Sequence, residues 1–234
     1  MQLGVKMAAW IDERFGAGAG VEEQAHRSSA HVPNRDAGKV KERIVRASII
    51  GNGSNVMRRR MGEMKSADGI AVRRARPEDD AALGELLVAA YVTAYAEKMP
   101  QVVVTEERKR DLRAVAEKRN VALVLVAEEK QRVVGTVALW PQGAPGSEAW
   151  IAGACDLRHL ATDPSMHGRG LSRLLMNEAE RLAREELRAY AICLHVRRGN
   201  EGVRRLYESR GYVRDEKGDL EYPSVSLMAF VKTL

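Results

Sequence analysis

The sequence is short of several features that define common classes of protein. It has 2 cysteines in 234 residues, Cys155 and Cys193, which cannot form a zinc site by themselves and lie in apolar, strand-like segments. We therefore expect reduced, buried thiols and no metal. The longest unbroken apolar run, 121–127, is far below the roughly 18 residues of a membrane-spanning helix. The N-terminal apolar stretch is too short for a signal peptide and neither end carries a lipidation motif, so we expect a cytoplasmic protein without membrane contact.

A strong excess of charge of one sign is also missing. Lys and Arg number 38 against 32 Asp and Glu, a net charge of +6. Residues 1–69 hold 12 basic and 8 acidic side chains, whereas 70–234 hold 26 and 24. A nucleic-acid binder needs a concentrated basic surface, which only the short run 58–60 offers, and no aromatic residue that could stack on bases lies between 39 and 65. We expect no nucleic-acid partner.

The composition that remains is ordinary for a globular protein, with 45% hydrophobic and 30% charged residues. The chain is long enough to bury a core without disulfides. The sequence changes in character near residue 70. Before that residue, two glycine tracts, 16–20 and 51–55, are separated only by a turn-rich stretch and one candidate helix, 39–50. We predict an N-terminal extension over 1–69, poorly ordered or partly helical, and one folded domain over 70–234.

Hydrophobic spacing after residue 70 predicts a mixture of strands and helices. The predicted strands are 70–75, 121–127, 132–140, 150–162, 190–196 and 213 onward, with a hairpin turn at 128–131 and a loop at 141–147. The predicted helices begin at Pro77, cover 105–119 and 171–187, and cover 200–209. This order indicates a mixed α/β (α+β) domain, in which an antiparallel meander is followed by strand–helix–strand crossovers.

A glycine loop between a strand and a helix is the most informative segment. The strand ends near Thr162, a proline turn follows, and Gly168-Arg169-Gly170 opens an amphipathic helix. The first N–H groups of a helix are unpaired and lie at the positive end of its dipole, so the loop is predicted to receive a phosphate or pyrophosphate. Arg169 and Arg173 can add charge-assisted bonds. The spacing fits neither a P-loop nor a dinucleotide fingerprint, and a tight turn that needs positive φ explains the glycines as well.

A second informative segment begins at Asn200. Tyr207 follows seven residues later, which is two helical turns, so the two side chains are predicted to share one helix face. An amide and a phenol on that face, beside a phosphate loop, could form the wall of a cofactor site. Each residue also has a structural interpretation, Asn200 as a helix N-cap and Tyr207 as part of the core.

Together these segments resemble the GNAT superfamily of acyl-CoA-dependent N-acetyltransferases. The resemblance rests on His167-Gly-Arg-Gly-Leu-Ser172, on Asn200-Glu-Gly-Val-Arg-Arg-Leu-Tyr207 and on Gly211-Tyr212, and it covers about 70–234. It implies a mostly antiparallel, splayed sheet flanked by helices, with acetyl-CoA in the opening between the fourth and fifth strands of the domain. It also implies an amine acceptor, either a small molecule or a protein amine, and leaves a homodimer open.

The resemblance also implies roles for individual residues. The backbone amides of the loop would hold the CoA pyrophosphate, and the loop comprises His167, Gly168, Arg169, Gly170, Leu171 and Ser172. Leu160 and Thr162 would pair their backbone with the pantetheine arm, Asn200 would bond it, and Tyr207 would protonate the departing thiolate. His167 stands where the family commonly has Gln or Arg, and Ser172 where it has Gly or Ala, so no role is assigned to the side chain at 167.

The base that removes a proton from the amine is not fixed by the motifs. Asp156 corresponds to a position where some family members carry an acidic base, although an ion pair with Arg158 explains it as well. Strict strand alternation places Asp156, Arg158 and Leu160 on one face, and Leu157, His159 and Ala161 on the other. His159 is therefore a weaker candidate by position, and Glu148 and Glu97 are others, because the first helices and the loop 141–147 are expected to shape the acceptor site together with the final hairpin.

The function expected from these motifs is direct acetyl transfer from acetyl-CoA to a primary amine. An alternative from another class is a GNAT-like module that senses acyl-CoA without turnover, and a third is a nucleic-acid-associated protein led by 39–65. The presence of both Asn200 and Tyr207 favours the enzyme.

Overall fold

A computed structural model of the chain describes residues 64–65 and 69–234. The helix predicted over 39–50, and almost all of the predicted N-terminal extension, lie outside the described residues. The strands are β1 (Met64–Lys65), β2 (Ile70–Arg74), β3 (Leu123–Glu129), β4 (Arg132–Pro141), β5 (Ala154–Thr162), β6 (Ala191–Arg197), β7 (Val213–Arg214), β8 (Leu220–Tyr222) and β9 (Val225–Thr233). The α-helices are α1 (Asp80–Lys98), α2 (Glu106–Arg113), α3 (Val115–Arg119), α4 (Leu171–Glu185) and α5 (Glu201–Glu208).

The strands form one mixed sheet in the order β1-β2-β3-β4-β5-β6-β9-β7, with β8 paired to β9. Within the described residues all strand pairs are antiparallel except β5 with β6, which run parallel from Ala154↔Ala191 to Leu157↔Leu194. Beyond that last pair both strands continue, β5 to Thr162 and β6 to Arg197, without pairing to each other. The sheet therefore splays open between β5 and β6, and the predicted fold class is confirmed.

Helices cover both faces of the sheet. On one face α4 packs through Leu175, Met176 and Ala179, which are fully buried in the larger core cluster. On the other face α1, α2 and α3 contribute Leu83, Leu112 and Val115 to a second cluster. Each fully buried side chain of this size stabilises the fold by roughly 1.5–3 kcal/mol. The predicted apolar face of α4 is confirmed, with Leu174 only partly buried.

An ion-pair network fixes the start of α1 against the sheet. The 3₁₀ turn Pro77–Asp79 precedes the helix, and the Asp79 carboxylate accepts a hydrogen bond from the Arg76 amide at 2.6 Å. Arg73 on β2 pairs with the same carboxylate at 2.7 Å and also with Glu128 on β3. The hydrogen bond from Arg73 lowers the pKa of Asp79, so the carboxylate stays charged at neutral pH.

Two predicted elements are wrong at their boundaries. The helix predicted over 105–119 is broken at Ala114, whose ψ of 55° ends α2 before α3 begins. The tight packing of α2 on α1 accounts for the break, because a Cβ at Gly84 would lie 3.0 Å from the Cα of Arg113. The strand predicted over 150–162 begins only at Ala154. Trp150 instead turns away, donates from Nε1 to Asp215 at 2.8 Å, and covers Gly218.

A bulge in β5 overturns the predicted alternation of its side chains. Ala138 pairs with Arg158 and Thr136 pairs with Ala161, so the register shifts between them. His159 absorbs the shift with a φ of 55°. As a result Leu160 packs with the α4-side cluster and Ala161 with the opposite one, the reverse of what strict alternation predicts.

Candidate active site

A cavity of about 680 Å³ opens where β5 and β6 separate. Its walls are the ends of these two strands, the first turn of α4, helix α5, and the facing parts of α1 and α2. Most of the residues predicted for the site line it, namely Leu160, Thr162, His167, Gly168, Gly170, Leu171, Ser172, Asn200 and Tyr207. Asp156 and Arg169 are the two predicted site residues that do not.

The glycine loop presents free amides at the start of α4. Gly168 and Gly170 have φ values of 81° and 75°, in the left-handed region that side chains rarely adopt. The N–H groups of both glycines, and those of Leu171, Ser172 and Arg173, donate to no other residue in the described part of the chain. A Cβ at Gly168 would meet nothing within 4 Å, and one at Gly170 only the Arg173 guanidinium at 3.8 Å. The loop is thus an open cradle of donors at the positive end of a helix.

The two arginines of this segment point in different directions. Arg169 pairs with Glu129 on β3 at 2.7 Å, which holds its guanidinium away from the cavity. Arg173 lines the cavity and forms no ion pair with any described residue. The positive charge available at the loop therefore comes from Arg173 rather than from Arg169.

The edge of β5 that faces the gap has no strand partner. Beyond Leu157 the residues of β5 pair only with β4, for example Ala161 with Thr136 and Thr162 with Gly135. At Leu160 and Thr162 this edge is therefore open to an extended ligand.

Helix α5 places Asn200 and Tyr207 on the same wall of the cavity, as their spacing predicts. Asn200 is the N-cap, and its Oδ1 accepts a long hydrogen bond of 3.4 Å from the Val203 amide. Its side-chain amide nitrogen donates to no other described residue. Asn200 therefore serves the helix and faces the cavity at once.

Tyr207 is buried, with its ring edge-on to Tyr212 at 5.5 Å between centroids. Its hydroxyl forms no hydrogen bond with any other residue that the structure describes. Burial raises the pKa of Tyr207, and the nearby phenol of Tyr91 raises it further. The hydroxyl therefore keeps its proton at neutral pH and is available as a donor.

Asp156 lies beside the cavity but not on its surface. The residue is fully buried, and its Oδ2 accepts hydrogen bonds from the Glu148 amide at 2.8 Å and from Arg158 Nε at 2.6 Å. Its Oδ1 has no hydrogen-bond partner among the described residues. Asp156 thus fixes the loop that carries Glu148 and the orientation of Arg158, which both line the cavity.

Glu148 and His195 form a pair of titratable groups on the cavity wall. Glu148 Oε2 lies 2.7 Å from Arg158 Nη2 and 3.7 Å from His195 Nδ1. His195 Nε2 lies 2.8 Å from the carbonyl oxygen of Gly218, so Nε2 must carry a hydrogen to form that bond. Nδ1 is therefore the ring atom that faces Glu148. No sequence motif marks His195, and its only signal is its position on the same face of β6 as Cys193 and Arg197.

The other candidate bases are less well placed. His159 is buried, lines the cavity, and packs edge-on against Trp140 at 5.5 Å. Arg158 lies over the same indole ring. His159 is therefore on the Asp156 side of the sheet, and its predicted position on the opposite face is wrong. Glu97 is exposed and does not line the cavity.

An aromatic pair on α1 forms the wall opposite α4. The rings of Tyr91 and Tyr95 meet edge-on at 5.8 Å, with Arg108 over Tyr91 and Arg197 over Tyr95. Burial raises the pKa of Tyr95, so its phenol is neutral. No motif in the sequence marks Tyr91 or Tyr95 as a site residue, because only the tertiary fold brings α1 over the gap.

Between 69 and 234, and at 64–65, no helix combines the length and apolar character needed to cross a membrane. The same residues contain no group of three or more His, Cys, Asp or Glu side chains arranged to hold a metal ion.

Comparisons with known proteins agree on one fold. The sequence matches the acetyltransferase (GNAT) family over residues 82–212. A search of curated protein sequences found no significant match.

Several solved structures share the fold at low sequence identity. PaiA N-acetyltransferase from Thermoplasma acidophilum, in complex with coenzyme A, has a TM-score of 0.52 and 20% identity, and the match covers 70% of this chain and 99% of that one. A GNAT-family acetyltransferase from Staphylococcus aureus Mu50 has a TM-score of 0.56 and 15% identity, covering 70% and 99%. YncA from Salmonella typhimurium, with acetyl-CoA, has a TM-score of 0.50 and 19% identity, covering 70% and 94%.

Proposed function

Since the chain belongs to the GNAT family of acetyltransferases, we propose that it transfers the acetyl group of acetyl-CoA directly to the primary amine of an acceptor. One observation carries the proposal: the unpaired edge of β5, the open amides at the start of α4, and Tyr207, whose hydroxyl has no partner among the described residues, all line the same cavity. A single elongated thioester cofactor uses all three features.

The cofactor's pyrophosphate would bind the glycine cradle. The amides of Gly168, Gly170, Leu171 and Ser172 supply donors that the fold leaves unused, and Arg173 adds a positive charge. This arrangement does not need the side chains of His167 or Arg169. The ion pair of Arg169 with Glu129 is consistent with it, because that pair holds the Arg169 side chain away from the cavity.

The pantetheine arm would extend along β5 between the two strands. Amide groups of the arm pair with free backbone groups near Leu160 and Thr162, in the manner of an added strand. The free amide nitrogen of Asn200 donates to the arm from the opposite wall. A backbone N–H at the same edge can polarise the thioester carbonyl as the amine attacks.

Tyr207 would assist departure of the thiolate. When the amine nitrogen bonds to the acetyl carbon, the carbon–sulfur bond breaks and its electron pair stays on sulfur. A thiol has an ordinary pKa near 8.5, so the leaving sulfur is stabilised by a donated hydrogen bond or proton. The raised pKa of Tyr207 keeps that donor protonated, and the absence of a hydrogen bond to other described residues leaves it free to act.

The proton of the amine needs an acceptor on the opposite side of the thioester. Asp156 stays our predicted base, although it does not line the cavity. Its neighbours there are the Arg158 guanidinium and the Glu148 amide, neither of which can accept a proton, so the proton of the amine would reach Asp156 through water. Glu148 and His195 are the groups that a bound amine can reach directly. The first experiment is therefore measurement of CoA thiol release from acetyl-CoA with a panel of primary amines, alongside acetyl-CoA affinity by calorimetry. A protein that binds acetyl-CoA but releases no thiol with any amine would be the sensing module instead.

A further inference from the structure

The acceptor side of the cavity carries an excess of positive charge. This side is formed by α1, the following loop, α2 and the end of β6, and it contributes Lys98, Arg108 and Arg197. Glu148 is the one acidic residue among the described residues that line the cavity. A site that receives only a cationic amine has no electrostatic reason for this balance.

Two of these cations have no carboxylate partner. Arg108 pairs with Asp111 at 2.5 Å, and Glu148 is already paired with Arg158 at 2.7 Å. Lys98 and Arg197, by contrast, form no ion pair with any residue that the structure describes. Cations that the fold leaves unpaired on the wall of a cavity are available to an anionic ligand.

Arg197 is held in a fixed orientation. Its guanidinium lies over the Tyr95 ring at 5.7 Å, and Nη2 donates to the carbonyl oxygen of Ser224 at 3.3 Å. The Tyr95 phenol is a second hydrogen-bond partner of the same guanidinium. An arginine side chain has five N–H donors in a planar fork, so donors remain for a ligand. A fork positioned in this way suits two-point binding of a carboxylate, at a lower entropic cost than a free side chain.

The position of Arg197 also limits the size of the ligand. It lies three residues beyond Leu194, the last residue of β6 paired to β5. That is about 10 Å along an extended strand, a distance within the reach of a small molecule. The amine at the thioester and the anionic group at Arg197 can therefore belong to one small molecule.

We propose that the acceptor is an aminocarboxylate, a small molecule such as a free amino acid, whose carboxylate binds Arg197 with support from Lys98 while its amine meets the thioester. This inference rests on the proposed function. A polyamine would place further ammonium groups beside unpaired cations, and the one carboxylate among the described lining residues, Glu148, is already paired with Arg158. A peptide N-terminus has a neutral amide in place of the carboxylate, so it would leave the Arg197 guanidinium without an anionic partner.

The test compares three classes of amine on the full chain. Free L-amino acids, the same amino acids as carboxamides, and diamines such as putrescine are assayed for thiol release, and N-acetyl products are identified by mass spectrometry. We expect kcat/KM for the best amino acid to exceed that of its carboxamide at least tenfold. Arg197→Gln should remove that preference while changing acetyl-CoA affinity less than threefold, and Arg197→Lys should restore part of it.

The matched control is Arg198→Gln. Arg198 is the next residue along the chain, is exposed, does not line the cavity, and pairs with Glu221, so the preference should survive its loss. Carboxamides or diamines acetylated as fast as amino acids by the wild-type protein would overturn the inference while leaving the acetyltransferase proposal standing. If the protein bound acetyl-CoA but released no thiol with any of the three classes, both the inference and the acetyltransferase proposal would be overturned. The wild-type comparison decides the matter even if Arg197→Gln does not fold.

Discussion

Replacing Tyr207 with phenylalanine separates its role in catalysis from its role in the core. The substitution keeps the ring and its edge-on contact with Tyr212 and removes only the hydroxyl. Because that hydroxyl forms no hydrogen bond with any other described residue, no stabilising bond within the described chain is lost. We expect the free energy of unfolding to change by less than about 1 kcal/mol.

The effect on the reaction should be much larger. Without the phenol the thiolate departs unassisted or takes a proton from water, and general acid catalysis is typically worth ~10²–10⁴-fold. We expect kcat to fall at least a hundredfold, while acetyl-CoA affinity measured by calorimetry changes less than threefold. The assay is thiol release with the best acceptor, alongside thermal unfolding of both proteins.

Tyr212→Phe is the matched control. Tyr212 is equally buried, does not line the cavity, and its hydroxyl lies 3.5 Å from Glu180. Its loss should lower stability by about 1 kcal/mol and leave kcat unchanged. If Tyr207→Phe kept kcat within threefold of wild type, the general-acid role would be refuted, and Tyr207 would be part of the wall only.

Further predictions address the cradle, the base, the hairpin and the N-terminal segment. Gly170→Val should abolish acetyl-CoA binding by calorimetry, whereas Gly211→Val, with a similar φ of 84° away from the cavity, should lower the melting temperature and leave the affinity intact; equal loss of affinity in both would point to strain alone. Asp156→Asn should lower kcat at least tenfold with acetyl-CoA affinity unchanged, and a rate within threefold of wild type would assign the base to Glu148 or His195. Gln131→Gly should stabilise the β3–β4 hairpin by up to about 1 kcal/mol, because residue 131 has a φ of 64°, and a lower melting temperature would contradict this. Deletion of 1–64 should leave acetyl-CoA affinity within tenfold, and a larger loss would show that the segment contributes to the site.

The features that the sequence predicted well are those encoded by short-range spacing. The glycine loop before α4, the seven-residue offset of Asn200 and Tyr207, and the apolar face of α4 each depend on residues within two or three turns of one another. Local backbone preferences decide such patterns, so the structure confirms them with only small changes of boundary.

The features that the sequence could not predict arise from contacts between distant segments. The bulge at His159 follows from the register of β5 against β4. No residue type within β5 indicates that a bulge will form there. The break at Ala114 follows from the close approach of α2 to α1 at Gly84. Likewise Tyr95, His195 and Arg197 become neighbours of one cavity only after α1 has crossed the gap. Each of these depends on pairing or packing that acts after local structure has formed.

The splay between β5 and β6 has a consequence for how this protein reaches its native state. Only four residue pairs join the strands β1–β5 to the strands β6–β9, and the intervening chain includes the whole of α4. Closing that parallel junction fixes a long loop for few hydrogen bonds, so it is expected to be a late step in folding. The cavity, whose walls come from both sides of the junction, does not exist before that step. Acetyl-CoA should therefore bind only the complete native state. At a free acetyl-CoA concentration of a hundred times Kd, it should raise the free energy of unfolding by about 2.7 kcal/mol, the value for a ligand with no affinity for the unfolded chain.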